Sequence, residues 1–234
     1  MTQTPIYCLG IDASGSRCGL ALVSYDTDMR LCWQTTVHAP KEPSALMLAY
    51  KTEQAIATKL LISLSNTRPL IVAAEDPSGF AYAVAQHKTS RSTNAAAVFG
   101  FPWMMAIAML AIDAVYGAEN VEATYTFQPS QWQAKLGCNG FVAVGPVREA
   151  LMRVMEDRHP EKNRKHIVRA AVAETTENLN IMATKALRTG RVEWVEEQDG
   201  IDAAGIAIVG LQEHMLSLRS TTQPRKKMVG KNDR

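Results

Sequence analysis

Four acidic residues fall where a folded α/β chain would bring them together. Asp12 ends the first apolar run of the sequence, and Glu75 ends a later one, LIVAA at 70–74. Asp199 and Asp202 lie three residues apart at the start of an Ala-rich segment, so they would share one face of a helix. Carboxylates gathered at one point repel one another and lose hydration unless cations are present. Because Mg²⁺ prefers such hard oxygen ligands, the four acids form a candidate metal site.

Each acid taken alone has a simpler interpretation. An acid at the end of a strand is usually a turn former. Asp199 and Asp202 are also favourable charges at the N-terminus of a helix. Only the convergence of three separate segments favours a shared metal site.

The elements that must position these acids follow a regular order. Apolar runs predict strands at 6–12, 18–24, 31–37, 70–74 and 121–127. Helical periodicity predicts helices at 43–64, 93–116, 129–136, 147–155, 164–179 and 200–218. Short turns join the first three strands, whereas the last two strands are reached through helices and need parallel crossovers.

This order predicts an α/β fold with a mixed five-stranded sheet, three antiparallel strands followed by two parallel ones, and helices on both faces. The first and fourth strands would be parallel neighbours, so Asp12 and Glu75 would end side by side. Ligands of open sheets tend to bind beyond such strand ends.

Composition and charge exclude some classes of protein. Of the 234 residues, 47% are hydrophobic and 21% are charged, which excludes a largely disordered chain. The net charge of +2 argues against a uniformly basic DNA-coating protein. Residues 219–234 carry six basic residues and one acid, which leaves 19 basic and 22 acidic residues in the rest. We therefore divide the chain into a globular domain at 1–218 and a basic tail at 219–234 that we expect to be disordered.

The cysteines and the apolar segments bear on the cellular setting. The four cysteines are widely spaced without a CxxC pair, so neither a zinc site of the usual kind nor a disulfide framework is expected. No secretory signal is evident. The longest apolar stretch, 95–118, contains Gly100, Pro102 and Asp113, which favours a buried helix over a membrane span. We expect a cytoplasmic protein without membrane contact.

Three motifs together resemble a known family. LGIDASGSRCGLALV at 9–23 joins a strand-terminal Asp, a Gly/Ser-rich turn and a second strand. IVAAEDP at 71–77 ends a strand on Glu, and DGIDAAGIAIVG at 199–210 opens a helix with Asp-x-x-Asp. With the long helical segment 94–111, they resemble the RuvC-type Holliday junction resolvases (crossover junction endodeoxyribonucleases) of the RNase H-like, or retroviral integrase-like, superfamily. The resemblance spans about residues 6–216; Ala13 replaces the usual Pro, which suits a divergent, for instance phage-encoded, member.

The resemblance implies an RNase H-like nuclease domain at 1–218 that cleaves four-way DNA junctions as a homodimer, nicking two strands symmetrically. The resemblance also implies that Asp12, Glu75, Asp199 and Asp202 are the metal-binding and catalytic acids. They would hold two Mg²⁺ per site, for which Mn²⁺ may substitute, and no small-molecule cofactor is expected. Lys165, in RKHIV at 164–168, best matches the family's catalytic lysine, and Lys162 is its close competitor.

DNA contacts are expected from a small set of residues. Lys135 matches a basic position that contacts DNA in the family, and Phe80 resembles an aromatic inserted at the junction core. Residues 148–169 contain seven basic and four acidic residues, which favours phosphate binding there. Lys162 and Arg164 lie at the polar break of that segment, a good place for contacts.

Other classes remain open from the sequence. A different RNase H-like nuclease would act on other branched DNA or on RNA–DNA hybrids. A phosphotransferase of the actin-like group would need a second phosphate-binding Asp-Gly loop. A noncatalytic DNA-binding module would have no need of four converging acids.

Overall fold

The structure is a computed structural model that describes residues 4–42, 44–64, 70–76, 95–154, 164–186 and 192–222. The main sheet contains β1 (Ile6–Ala13), β2 (Arg17–Tyr25), β3 (Met29–His38), β4 (Leu70–Glu75) and β5 (Val121–Phe127). The helices are α1 (Ala45–Leu64), α2 (Ala95–Tyr116), α3 (Pro129–Lys135), α4 (Gly145–Val154), α5 (Arg164–Thr175) and α6 (Gln198–Thr222). A separate two-stranded sheet pairs β6 (Thr184–Ala186) antiparallel with β7 (Val192–Trp194).

The strand order of the main sheet is β3-β2-β1-β4-β5. β2 is antiparallel to both β1 and β3, whereas β4 is parallel to both β1 and β5. The predicted mixed sheet is therefore confirmed. Because Ile11 of β1 pairs with Ala74 of β4, the following residues, Asp12 and Glu75, lie on neighbouring strands at the same edge of the sheet.

Side-chain alternation along the strands divides the core into two layers. Leu9 and Ile11 of β1 belong to the layer that packs against α1 and α2. Cys8 of β1 and Ala73 of β4 belong to the other layer, which contains the buried residues of α5 and α6. Helices therefore cover both faces, as predicted. By the same alternation, Asp12 and Glu75 point to the face that α6 covers.

Glycines allow α6 to lie directly on the sheet. A Cβ atom built on Gly10 would stand 1.9 Å from the carbonyl oxygen of Ala203, and one built on Gly19 would stand 2.0 Å from that of Asp199. These positions tolerate no side chain, because the backbone of α6 fills the space. The close approach of backbone to backbone sets the position of the first turn of α6 above β1 and β2.

The structure differs from the sequence-based prediction between 164 and 222. The helix predicted at 164–179 ends at Thr175, Glu177 adopts a φ of 50°, and a 3₁₀ turn follows at Leu179–Met182. The β6–β7 hairpin was not predicted, because three-residue strands are too short to show a periodic pattern.

The last helix extends beyond the predicted domain boundary at 218. α6 continues to Thr222, so the first four residues of the predicted tail are helical, while 223–234 lie outside the described residues. Within the described ranges, no helix combines the length and the apolar character needed to cross a membrane.

Arg169 is part of the core rather than of a basic surface. Its side chain is completely buried on α5. Nη1 donates to the carbonyl oxygen of Ile181 at 2.6 Å and Nη2 to that of Glu196 at 2.8 Å, while the guanidinium lies 4.9 Å from the ring centre of Trp194. Burial lowers the pKa of Arg169 to about 10, so the group remains charged at neutral pH. The sequence-based inclusion of Arg169 among the phosphate-binding residues of 148–169 is therefore wrong.

We expect the Arg169→Met variant to lose about 2–4 kcal/mol of unfolding free energy, because two buried carbonyl groups lose their charged donor. Urea denaturation of both proteins measures the difference. Arg153→Met, at an exposed position on α4, is the control and should change stability by less than about 0.5 kcal/mol. Equal losses in the two variants would contradict a structural role specific to Arg169.

Candidate active site

The four acids predicted from the sequence meet at one edge of the main sheet. Asp12 and Glu75 come from β1 and β4, and Asp199 and Asp202 come from the first turns of α6. Burial, together with repulsion from the other three carboxylates, raises the pKa of Asp12 well above its ordinary value. The strength of this mutual repulsion follows from their proximity within a poorly solvated site.

Glu75 is held by an aromatic residue that the sequence did not single out. The indole Nε1 of Trp132, on α3, donates a hydrogen bond of 3.1 Å to Glu75 Oε2. Burial raises the pKa of Glu75, and the hydrogen bond from Trp132 opposes that rise. Trp132 is itself buried, so it fixes one carboxylate oxygen from within the core.

Asp202 is held by its neighbour on the same helix. Gln198 Nε2 donates to Asp202 Oδ1 at 2.8 Å and also to the backbone oxygen of Lys165 at 3.2 Å. Gln198 thereby connects α6 to the first turn of α5. Burial raises the pKa of Asp202 to about 6, although Gln198 and Lys165 both oppose the rise.

Among the described residues, the side chain of Asp199 forms an ion pair with Arg17. Arg17 Nε lies 3.0 Å from Asp199 Oδ2, but the buried Oδ2 atom accepts no hydrogen bond from any described residue. A buried carboxylate oxygen without a donor is costly unless a cation satisfies it.

The donor set fits a hard divalent cation in its chemistry. Three carboxyl groups whose pKa is raised by burial, together with a buried Asp199 Oδ2 that accepts no hydrogen bond from a described residue, are what such an ion would stabilise. Their side chains form an open arrangement: among the residues described, no three His, Cys, Asp or Glu side chains are already closed around one metal position. In this arrangement Trp132, Gln198 and Arg17 each contact one of the acids.

Lys165 is the predicted basic residue that reaches the acids. It lies on the first turn of α5, and its charge lowers the pKa of both Asp12 and Asp202. Arg164 is exposed beside it and acts on the pKa of Cys138, which burial raises to about 11. Lys162, the competing candidate, lies outside the described residues.

The other predicted DNA contacts lie away from the acids or outside the described ranges. Lys135 ends α3 and forms an ion pair with Glu213 of α6. Glu213 is eleven residues from Asp202 on the same helix, or about 16 Å along its axis. Phe80 lies outside the described residues.

Three residues near the acids escaped the sequence reasoning, namely Arg17, Trp132 and Gln198. Arg17 lies within the motif at 9–23, and Trp132 lies within the helix predicted at 129–136. Neither contact could be predicted, because a contact between side chains on distant segments leaves no periodic pattern in the sequence. Gln198 lies four residues before Asp202, a helical spacing that favours such a contact.

Burial of Asp202, to which repulsion from Asp199 and Glu75 adds, leads to a testable prediction about stability. The pKa of Asp202 is raised from about 4 when unfolded to about 6 when folded, so the folded state binds the extra proton. The metal-free protein should therefore lose stability as pH rises from about 4 to about 6 and stay at the lower value above that range. Asp202→Asn should then be about 2 kcal/mol more stable than the wild type at pH 7.5 in chelator, with little difference at pH 4.

Thermal denaturation at both pH values, with and without Mg²⁺, measures this effect. Mg²⁺ should raise the Tm of the wild type more at pH 7.5 than at pH 5, and should raise that of Asp202→Asn much less. An Asp202→Asn protein that is less stable than the wild type at pH 7.5 in chelator would contradict the prediction.

No protein-family model and no curated protein sequence matches the chain. Two solved structures of Thermus thermophilus RuvC match in fold. The one in complex with a Holliday junction substrate has 18% identity and a TM-score of 0.50, and the match covers 90% of this chain and 96% of that chain. The other RuvC structure has 19% identity and a TM-score of 0.50, over 91% of this chain and 97% of that one. The chain therefore shares the RNase H-like fold of the RuvC Holliday junction resolvase structures.

Proposed function

We propose that the chain is a metal-dependent endodeoxyribonuclease that resolves four-way (Holliday) DNA junctions by symmetric phosphodiester hydrolysis. The observation that carries the proposal is the meeting of four acids and Lys165 at one edge of the sheet. Support also comes from the fold, because one structure that shares it is of a RuvC bound to a Holliday junction substrate.

Asp12, Glu75, Asp199 and Asp202 would hold two Mg²⁺ ions, for which Mn²⁺ may substitute. When bound, the ions supply an activated water and stabilise the leaving 3′-oxygen. Lys165 places a positive charge beside the acids, where it can balance the negative charge that develops on the phosphate. Trp132 orients Glu75, and Gln198 orients Asp202, each through one hydrogen bond.

DNA would be held by contacts on either side of the acids. Arg164 is exposed next to Lys165, and Lys135, at the end of α3, lies beside Glu213 farther along α6, so both can meet phosphates flanking the cleaved one. We also propose Lys162 and Phe80 as DNA-contacting residues, on the basis of the sequence alone.

Two symmetric nicks require two active sites, and we propose that a homodimer supplies them. Several large apolar side chains remain exposed on α1 and α2, among them Leu61, Ile62 and Leu110. Such side chains are consistent with an interface between copies. Light scattering of the purified protein measures its mass in solution, and a monomer at the concentration of cleavage would contradict this part of the proposal.

Cleavage of matched substrates tests the proposed function. Labelled four-way junction, three-way junction, linear duplex and RNA–DNA hybrid are incubated with the protein, with and without Mg²⁺, and the nicks are mapped. We expect Mg²⁺-dependent nicks at paired positions in the four-way junction and little cleavage of the linear duplex. Preference for the RNA–DNA hybrid or the three-way junction would instead identify a different nuclease of the same fold, and Mg²⁺-independent binding without nicks would indicate a noncatalytic module.

A further inference from the structure

Arg17 stands beside the acid site with a fixed backbone and an exposed side chain. It is the first residue of β2, after the turn that follows Asp12. Ser14 closes this turn, because its backbone N–H and its hydroxyl both donate to the Arg17 carbonyl oxygen, at 2.8 and 3.1 Å. The side chain is 45% exposed, so the guanidinium can change partners while its backbone stays in place.

The present partner of Arg17 is one of the four acids. Nε lies 3.0 Å from Asp199 Oδ2, and this oxygen accepts no hydrogen bond from the residues that the structure describes. A half-exposed ion pair without a hydrogen bond contributes little net stability. The guanidinium therefore serves as a substitute cation for Asp199 that a stronger cation can replace.

Arg17 differs from His38 and Gln34, two nearby side chains on β3, in the acid that it contacts. His38 Nε2 lies 3.0 Å from Glu197 Oε2, and Gln34 donates to Glu196. These two contacts join β3 to the residues just before α6, outside the acid site. Arg17 alone of the three side chains contacts a candidate metal-binding acid.

We propose that Arg17 exchanges partners on substrate binding: it neutralises Asp199 in the protein without DNA, and it contacts a phosphate of bound DNA when Asp199 holds a divalent cation. The proposal rests on the nuclease function proposed above. A guanidinium offers a planar pair of donors that fits a phosphate, and Arg17 lies in contact with one of the acids at which the phosphate would be cleaved. Arg17 would thus couple cation binding at the four acids to binding of the DNA backbone.

The exchange predicts opposite effects of one substitution. Arg17→Gln removes a positive charge that competes for Asp199, so Mn²⁺ should bind about two- to fivefold more tightly in the absence of DNA. The same variant loses one phosphate contact, so the slope of log K against log salt for four-way junction binding should fall in magnitude by about 0.9. If Arg17 served only to anchor Asp199 in place, Arg17→Gln would instead weaken Mn²⁺ binding.

Two measurements on the full chain test this exchange. Mn²⁺ binding is followed by electron paramagnetic resonance of the free ion, without DNA. Junction binding is measured between 50 and 200 mM salt with saturating Mn²⁺, so that Asp199 can hold a cation, in the Asp12→Asn background, which we expect to block cleavage. Arg30→Gln is the control, because Arg30 is exposed at the opposite end of the sheet, where it pairs with Ser24. Arg17→Lys keeps the charge and should restore the salt slope.

The expected result is tighter Mn²⁺ binding and a smaller slope in Arg17→Gln, with neither change in Arg30→Gln. Unchanged or weaker Mn²⁺ binding in Arg17→Gln overturns the competition at Asp199, and a slope equal to that of Arg30→Gln overturns the phosphate contact. Failure of the function itself looks different. If the Asp12→Asn protein does not bind four-way junctions, both the proposed function and the phosphate contact are refuted, while the Mn²⁺ measurement still reports on Asp199.

Discussion

Asp12→Asn should reduce cleavage of four-way junctions by about a thousandfold or more and leave junction binding within about twofold of the wild type. Asp12 lies between the other acids, as the repulsion from Asp202, Glu75 and Asp199 indicates. An amide is a poorer ligand for Mg²⁺, and loss of the several kcal/mol that a catalytic cation supplies corresponds to such a factor in rate. Single-turnover cleavage and gel-shift titration measure the two effects separately.

The matched control for this variant is Asp28→Asn, at an exposed turn remote from the acids. It removes the same charge and should cleave at the wild-type rate. The Asp12→Asn protein should also be more stable than the wild type in chelator at neutral pH, since it removes a carboxylate whose pKa burial and the neighbouring acids raise well above its ordinary value. Normal Mg²⁺-dependent cleavage by Asp12→Asn would show that the acid cluster is not the active site.

Gly19→Ala should impair cleavage without touching any acid. A methyl group on Gly19 would stand 2.0 Å from the Asp199 carbonyl oxygen and 3.0 Å from the backbone nitrogen of Gly200. Both contacts are with backbone atoms, so the first turn of α6 must move away from the sheet. Overpacking of this kind costs about 1–3 kcal/mol of stability. A shift of about 1 Å in Asp199 and Asp202 can cost about a hundredfold in rate.

Thermal denaturation and single-turnover cleavage check both expectations. Gly140→Ala is the control, because Gly140 has a φ of 75° and nothing lies within 4 Å of its Cβ position. That variant should suffer backbone strain of about 1 kcal/mol yet keep its cleavage rate. If Gly19→Ala is destabilised but cleaves as fast as Gly140→Ala, the close packing of α6 does not position the acids.

Local sequence patterns were sufficient to predict the main sheet and the helices that cover it. The apolar runs that end on Asp12 and Glu75 are strands in the structure, and the chain order of strands and helices predicted the mixed sheet correctly. Once that order is known, the parallel pairing of β1 with β4 places the two acids at one edge. The helical spacing of Asp199 and Asp202 likewise needed no tertiary information. These features are local in the sequence, since periodicity, turns and connection lengths determine them.

Side-chain contacts between segments far apart in the sequence could not be predicted from local patterns. Trp132 reaches Glu75 from 57 residues away, and nothing in either segment specifies that contact. Arg169 looked like one member of a basic run, but the packing of α5 buries it beneath Ile181 and Trp194.

The sequence by itself therefore determined the five strands of the main sheet, the order in which the helices connect them and the strand ends that carry the acids. Only the tertiary structure decided how closely α6 approaches Gly10 and Gly19, and which side chains hold each acid. The physical reason is that steric fit between distant segments depends on the whole assembled core, whereas strand and helix periodicity depends on neighbours in the chain.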